Sequence, residues 1–238
     1  MFVTFGILTD SNQFHVDKII DSIRRNFEPL DSIENRYEVI VIGKVSYPNL
    51  DLRSIKVIND DNIEQKNWIT KKKNLVVQHS NCQSEVIVIV KDYICFDDNW
   101  FKDLRTFSLA INHNWDILMC KIVTEKDNRR YLDWIWDNPN IKGKTIGRNV
   151  DYNVSSHPRM FVPGCLLIAK KYVLDNVKFS ESLVGLNKPT DVRWSREAFA
   201  AGYVYKFNPL SICYAFGKRS HRYPKFRKLC SCDLCENQ

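Results

Sequence analysis

Apolar and polar positions switch between two periods along the chain. Val3-Thr4-Phe5-Gly6-Ile7-Leu8-Thr9 is extended and mostly apolar and predicts a first strand, after which Asp10-Ser11-Asn12 supplies side chains able to cap a helix. Val16, Ile19, Ile20, Ile23 and Phe27 then recur at helical spacing, with Asp17, Lys18, Asp21, Arg24 and Arg25 on the opposite face. Tyr37 to Ile42 predicts a second strand that stops at Gly43, where a ligand could approach the backbone. Strand, helix, strand is the signature of a parallel βαβ unit with a right-handed crossover. A third short strand is expected at Ile55–Ile58, followed by a helix over Trp68–His79, entered near Thr70 and carrying Lys71, Lys72 and Lys73.

The most continuous apolar run is Val86 to Val90, five β-branched aliphatics in a row. Such a run reads as a strand buried on both faces at the centre of a mostly parallel sheet. Lys91-Asp92-Tyr93 follows it directly. Ligands of open α/β sheets bind beyond the carboxyl ends of the strands, so Asp92 is expected at the lip of a crevice with Lys91 beside it. Asp97, Asp98 and Asn99 suggest a turn or cap before a helix over Trp100–Ile111, and Asp116–Val123 is a further strand. The next thirty-odd residues are polar, aromatic and irregular, and Tyr131, Trp134 and Trp136 fit either a sugar-binding lid or rings that anchor the loop to the core. Phe161–Ala169 returns to strand with a bend at Pro163-Gly164. Asp191–Ala201 is a helix closed by Gly202, and Val204–Phe207 and Ile212–Phe216 are the last strands.

Composition narrows this picture. With 238 residues, 44% of them hydrophobic, the chain can bury one sizeable core, and one domain is expected. No aliphatic run approaches the roughly 18 to 20 residues of a spanning helix, and no charged leader precedes the first strand, so a cytoplasmic protein without a transmembrane segment is expected. Five of the eight cysteines, Cys82, Cys95, Cys120, Cys165 and Cys213, lie singly in apolar segments, as reduced buried thiols do. The net charge of +7 favours anionic ligands without naming one. Much of it sits between Lys218 and Lys228, next to Cys230, Cys232 and Cys235, in a segment that reads either as a solvated basic tail or as a contact for phosphate or a partner.

Together the strand ending at Thr9-Asp10, the Trp68–Asn74 helix, Lys91-Asp92-Tyr93 and the stretch Thr190–Tyr203 leading to Asn208-Pro209 resemble the family 2-like nucleotide-sugar glycosyltransferases of the GT-A fold, found in bacteria and large DNA viruses. The resemblance covers most of the chain. It implies an α/β GT-A domain over residues 1–217, with a mostly parallel central sheet flanked by helices and a smaller mixed sheet on the acceptor side. Residues 1–115 would form the nucleotide-binding half and residues 116–217 the acceptor half, followed by a basic tail over 218–238. The implied reaction moves a hexose or N-acetylhexosamine from a UDP-sugar to an acceptor hydroxyl with inversion. Asp191 matches the family's base, and Asp92 matches the carboxylate that anchors the diphosphate and a Mn²⁺ or Mg²⁺. Thr9, Asp10, Gly43, Trp68, Lys72, Lys73, Lys91, Tyr93 and Gly164 would line the donor, and Trp134 and Trp194 the acceptor side.

Lys91 stands where relatives commonly carry a second acid. Asp97, Asp98 or His221 would then have to assist Asp92 with the metal, or Lys91 would supply positive charge itself. No organic cofactor is implied. A glycan, a protein or a lipid-linked acceptor all suit the pattern, and the oligomeric state stays open, a homodimer included. For a viral source the location would be host cytoplasm or virion. Two other readings remain: a nucleotidyltransferase or nucleotide-binding module, which lacks a Gly-rich phosphate loop here, and nucleic-acid binding through the Cys-containing tail, which is not expected because the spacing is not that of a common zinc finger.

Overall fold

The computed structural model describes residues 1–28, 36–46, 55–138, 146–154, 156–184 and 190–216. In chain order these form β1 (Phe2–Leu8), α1 (Gln13–Phe27), β2 (Arg36–Ile42), β3 (Ile55–Ile58), α2 (Asp61–Gln65), α3 (Ile69–His79), β4 (Val86–Lys91), β5 (Ile94–Phe96) and α4 (Trp100–Ala110). There follow β6 (Ile117–Thr124), β7 (Ile135–Asn138), β8 (Ile146–Asn149), β9 (Met160–Phe161), β10 (Leu166–Lys170), α5 (Lys171–Asn176), α6 (Thr190–Ala200) and β11 (Tyr205–Ala215). The large sheet runs β3-β2-β1-β4-β10-β6-β11-β5. Strands β3, β2, β1 and β4 are mutually parallel, whereas β10 is antiparallel to both of its neighbours, β4 and β6.

The pleat explains why β4 is aliphatic throughout. Val86, Val88 and Val90 point to the α1 side, with Val3, Phe5 and Ile7 of β1, while Ile87 and Ile89 point to the other side, with Val76 and Val77 of α3. Each such residue, removed from water, contributes about 1.5–3 kcal/mol. Helix α3 comes so close to β1 that a Cβ at Gly6 would overlap the Val76 side chain. Helix α1 begins as its sequence suggests, with the Asn12 side chain accepting from the His15 N–H at 3.1 Å. Polar side chains on α1 then close gaps that main chain would otherwise leave: Asn26 donates to the Asp97 carbonyl and accepts from Phe101 N–H, and Ser22 Oγ accepts from Phe96 N–H.

The second half of the chain departs from its reading in several places. Phe161–Ala169 is not one strand: β9 joins a small sheet ordered β8-β7-β9, and β10 enters the large one, because Val162–Cys165 turns between them with Leu166 N–H bonded to the Pro163 carbonyl. That small sheet is antiparallel throughout rather than mixed. Conversely, the two expected last strands are one, β11, with a register shift between Asn208 and Ile212. Pro209 has no N–H for the ladder, and Asn208 fills in by accepting from Leu210 N–H and donating to Ser211 Oγ. The three-residue β5 went unread because it is too short to show a period. Helix α6 does end as expected: Gly202 has φ +87, its N–H bonds the Phe199 carbonyl, and Tyr203 N–H reaches back to Ala198.

The Tyr131–Trp136 cluster resolves toward anchoring. Tyr131 and Trp134 are buried, and Trp134 Nε1 donates to the Val154 carbonyl. Beside them the fully buried Asp133 carboxylate is satisfied by Arg130, by the Tyr152 hydroxyl and by Trp134 N–H, as a charge in the interior requires. No helix among the described residues is long and apolar enough to cross a membrane. Residues 218–238, with His221 and Cys230, Cys232 and Cys235, lie outside the described residues.

Candidate active site

The carboxyl ends of β1 and β4 lie side by side, with Leu8 opposite Lys91, so the residues that leave them meet. Asp92 N–H bonds the Leu8 carbonyl at 3.1 Å, and the Asp92 side chain folds back over the β1 end. Its Oδ2 accepts from Thr9 Oγ1 at 2.8 Å and from Asp10 N–H at 3.3 Å. Oδ1 has no hydrogen-bond partner among the described residues. Thr9 N–H in turn bonds the Ile42 carbonyl of β2, and Gly43 turns away with φ +146. A Cβ at Gly43 would run into Thr9, so the turn requires glycine both for its torsion and for its closeness. A depression of about 550 Å³ opens past this turn, lined by Gln13, Lys44, Val45, Ser46, Asn59 and Asp61.

Two neighbouring lysines of α3 reach into this end of the sheet, and neither is the solvated lysine that a Lys-Lys-Lys run permits. Lys72 is 2% exposed; its ammonium donates to the Thr9 carbonyl at 2.8 Å and lies 3.7 Å from Asp10. Lys73, also 2% exposed, makes a close ion pair with Asp191 and sits 4.6 Å from the centre of the Phe179 ring. Lys71 instead pairs with Glu181. The helix is fixed in this register by Asn74, which brackets the Phe179 main chain, accepting from its N–H and donating to its carbonyl, and also donates to Glu181.

Asp191 lies in the first turn of α6, not at its cap, and remains partly open to solvent, with 24% of its side chain exposed. A Cβ at Gly164 would overlap its Oδ2, so the carboxylate occupies space that only glycine leaves. Cys165, the next residue, ties the groups together: its carbonyl accepts from Lys91 N–H at 3.0 Å, and its buried thiol lies in the fields of Lys91, Asp191 and Lys73 together. Burial pushes that thiol up to about 12, against the pull of the Lys91 charge, so it is a packing group rather than a nucleophile.

The structure thus brings Thr9, Asp10, Gly43, Lys72, Lys91 and Asp92 to one end of the sheet, with Lys73, Gly164 and Asp191 around Cys165. Others of the expected residues go elsewhere. Trp194 is 1% exposed, stacked on Phe179 at 5.0 Å with its Nε1 bonded to the Val177 carbonyl, and Trp134 is equally buried; both rings serve the core, not an acceptor surface. Tyr93 turns into the core. Trp68 caps α3 by position, and its Nε1 donates to the Glu181 carbonyl. Asp97 and Asp98 do not assist Asp92: Asp97 accepts from Asn99 N–H and the Tyr214 hydroxyl, and Asp98 pairs with Arg25. Glu181 was missed, and nothing in Phe179-Ser180-Glu181 announces that it locks a helix 107 residues earlier.

Among the described residues no three His, Cys, Asp or Glu side chains gather as a ready-made metal cage. Asp92 Oδ1 nevertheless suits a Mg²⁺ or Mn²⁺ that takes its remaining ligands from phosphates and water.

A mostly parallel sheet with polar residues gathered beyond β1 and β4, a small antiparallel sheet beside it and a helix that starts with an acid paired to Lys73 define a GT-A fold. Two solved structures bear this out. A mannosyltransferase from Pyrobaculum calidifontis, PcManGT, in complex with GDP-Man and Mn²⁺, superposes with a TM-score of 0.61 at 15% identity over 92% of this chain and 58% of that one. S. aureus TarS, residues 1–349, gives a TM-score of 0.56 at 15% identity over 90% of this chain and 60% of that one. The chain therefore spans about three fifths of the structures it matches. No family model and no curated protein matches it.

Proposed function

We propose that the protein is a glycosyltransferase that moves a hexose or N-acetylhexosamine from a UDP-sugar to an acceptor hydroxyl with inversion. The observation that carries this reading is the pairing of two differently built carboxylates at one end of a GT-A sheet: Asp92, held by Thr9 and Asp10, and Asp191, held by Lys73. The uridine reading rests on the likeness of Thr9, Asp10 and Gly43 to the family's base-contacting positions, beside the depression next to Gly43. PcManGT carries GDP-Man, so the guanosine donor is the direct competitor of this reading.

In the proposed step the acceptor oxygen attacks the anomeric carbon on the face opposite the diphosphate. Its proton passes to the Asp191 carboxylate, and the bond from the anomeric carbon to the phosphate oxygen breaks with its electron pair leaving on the diphosphate. Lys73 fixes the direction of Asp191, and Gly164 leaves it room. Lys72 and Lys91 place positive charge where the leaving group gains negative charge. A Mn²⁺ or Mg²⁺ held by Asp92 Oδ1 would neutralise the diphosphate further.

The test is a thermal-shift panel of UDP-, GDP- and CDP-sugars with and without Mn²⁺, since a ligand that binds the folded state alone raises its melting temperature. A rise with UDP-sugars that Mn²⁺ enlarges is expected. A larger rise with GDP-mannose would move the donor to guanosine, and none with any nucleotide sugar would remove the reading.

A further inference from the structure

The opposite end of the central sheet holds a second cavity, of about 680 Å³. Val86, the first residue of β4, lines it, while Lys91, at the other end of the strand, belongs to the site described above. At about 3.3 Å per residue the two sites lie roughly 15–20 Å apart. Arg105 and Leu109 of α4, His113 and Trp115 of the following loop, Lys170 at the end of β10 and Tyr172 of α5 form its principal walls.

Its charges are unbalanced. Lys171 is answered by Asp175 at 2.7 Å, and Glu85, the other carboxylate of the lining, lies 3.6 Å from the Met1 ammonium. Half-buried Arg105 has neither hydrogen bond nor ion pair among the described residues, and Lys170 donates only to the His113 carbonyl, at 3.0 Å, with its ammonium 5.3 Å from the Trp115 ring centre. Two cations therefore face the cavity without a carboxylate partner. A guanidinium offers a planar fork of donors that matches a phosphate or carboxylate.

The wall beside them is rigid at a conformational cost. Asn112 and His113 are successive non-glycine residues with φ of 50 and 56. They are held by His113 N–H on the Ser108 carbonyl, and by Ser108 Oγ, which lies 2.8 Å from both His113 Nδ1 and Trp115 Nε1. With Nδ1 engaged, Nε2 is the ring nitrogen left to meet a ligand. Apolar surface completes the site: Leu109 is 59% exposed, and Tyr172, tethered through its hydroxyl to Asp116, is 45% exposed.

We propose that this cavity binds a sugar bearing an oxyanion, either a sugar phosphate or a uronate, with Arg105 and Lys170 meeting the anionic group and Tyr172 and Leu109 packing against the C–H face of the ring. The site is independent of the donor crevice and of which nucleotide that crevice takes. Its size suits a mono- or disaccharide, within the usual range of small-molecule sites.

The experiment follows amide and tryptophan indole NMR shifts of the full chain while glucose 6-phosphate, glucuronate, glucose and inorganic phosphate are each added. Saturable shifts at Trp115 and Leu109 with glucose 6-phosphate or glucuronate, and none with glucose, are expected; which of the two binds more tightly identifies the anion. Arg105→Gln should weaken that binding about tenfold and Tyr172→Ala a few-fold, at unchanged melting temperature. Asp92→Asn should leave it intact. Inorganic phosphate binding as tightly as the sugar phosphate, no saturation with either acidic sugar, or loss of binding in Asp92→Asn with Arg105→Gln unaffected would each overturn the proposal; the last would place the ligand in the donor crevice.

Discussion

Residues 1–115 and residues 116–216 build one sheet by opposite means. In the first part parallel strands deliver polar residues from their ends, so Thr9, Asp10, Gly43 and Asp92 meet because β1, β2 and β4 stop at the same level. In the second part the proposed base comes from a helix, and the strand beside it, β10, runs antiparallel to its neighbours. Asp191 is held by a lysine of the first part, 118 residues away in sequence. The proposed donor side is thus set by strand register, and the proposed acceptor side by one ion pair and one missing side chain. Substitutions on the two sides should fail in different ways.

The largest effect is expected from Asp191→Asn, which keeps shape and removes the proposed base: turnover should fall about 10³-fold while donor affinity measured calorimetrically stays unchanged. Equal losses in both would mean that Asp191 binds donor. Lys73→Met comes next. Stranding a largely buried carboxylate costs about 3 kcal/mol, read as a lower urea midpoint, together with slower turnover. A midpoint equal to the parent's would show that the ion pair contributes nothing to holding α3 against α6. Gly164→Ala displaces the Asp191 carboxylate without touching charge, and about 100-fold loss of turnover with a small change in melting temperature is the expected pattern. Full activity there would show that the carboxylate has room to move.

On the donor side Asp92→Asn should raise the donor dissociation constant about tenfold and blunt the response to Mn²⁺. The smallest effect is one that the two parts share. Burial pushes the Cys95 thiol up to about 11 and Cys165 up to about 12, so both stay protonated at neutral pH. Iodoacetamide at pH 8 should therefore label exposed Cys82 and spare Cys95 and Cys165 in the native protein. Because these folded-state values lie above the ordinary thiol value of 9.0, their contribution to stability is complete below about pH 9 and declines as the pH rises toward 11 to 12. A urea midpoint independent of pH across that window would contradict it.

The same contrast explains what could be read in advance. Strands buried on both faces leave continuous aliphatic runs, so β1, β2 and β4 are plain in the sequence, as is the stripe of α1. Asp92 followed from its place after such a run. The strands β7 and β8, by contrast, consist of Ile135–Asn138 and Ile146–Asn149, whose polar residues carry no clear period. Lys71, Lys72 and Lys73 are indistinguishable by type; only the packed helix assigns one to Glu181, one to Thr9 and one to Asp191. The aromatic residues misled for a related reason. Tryptophan suits both a sugar platform and a core, and it is burial, invisible in composition, that gives Trp134 and Trp194 to the core.

The strand order also bears on how this protein can be cut. Strand β10 fills the slot between β4 and β6, and β5, from the first part of the chain, closes the far edge of the sheet against β11. The two parts are interleaved, and no break near residue 115 yields two self-sufficient pieces. A fragment ending there would bare the Val86–Val90 edge, five aliphatic residues with open backbone donors and acceptors, and such an edge recruits other chains. Fragments for binding studies should therefore retain everything through β11, whatever is trimmed beyond it.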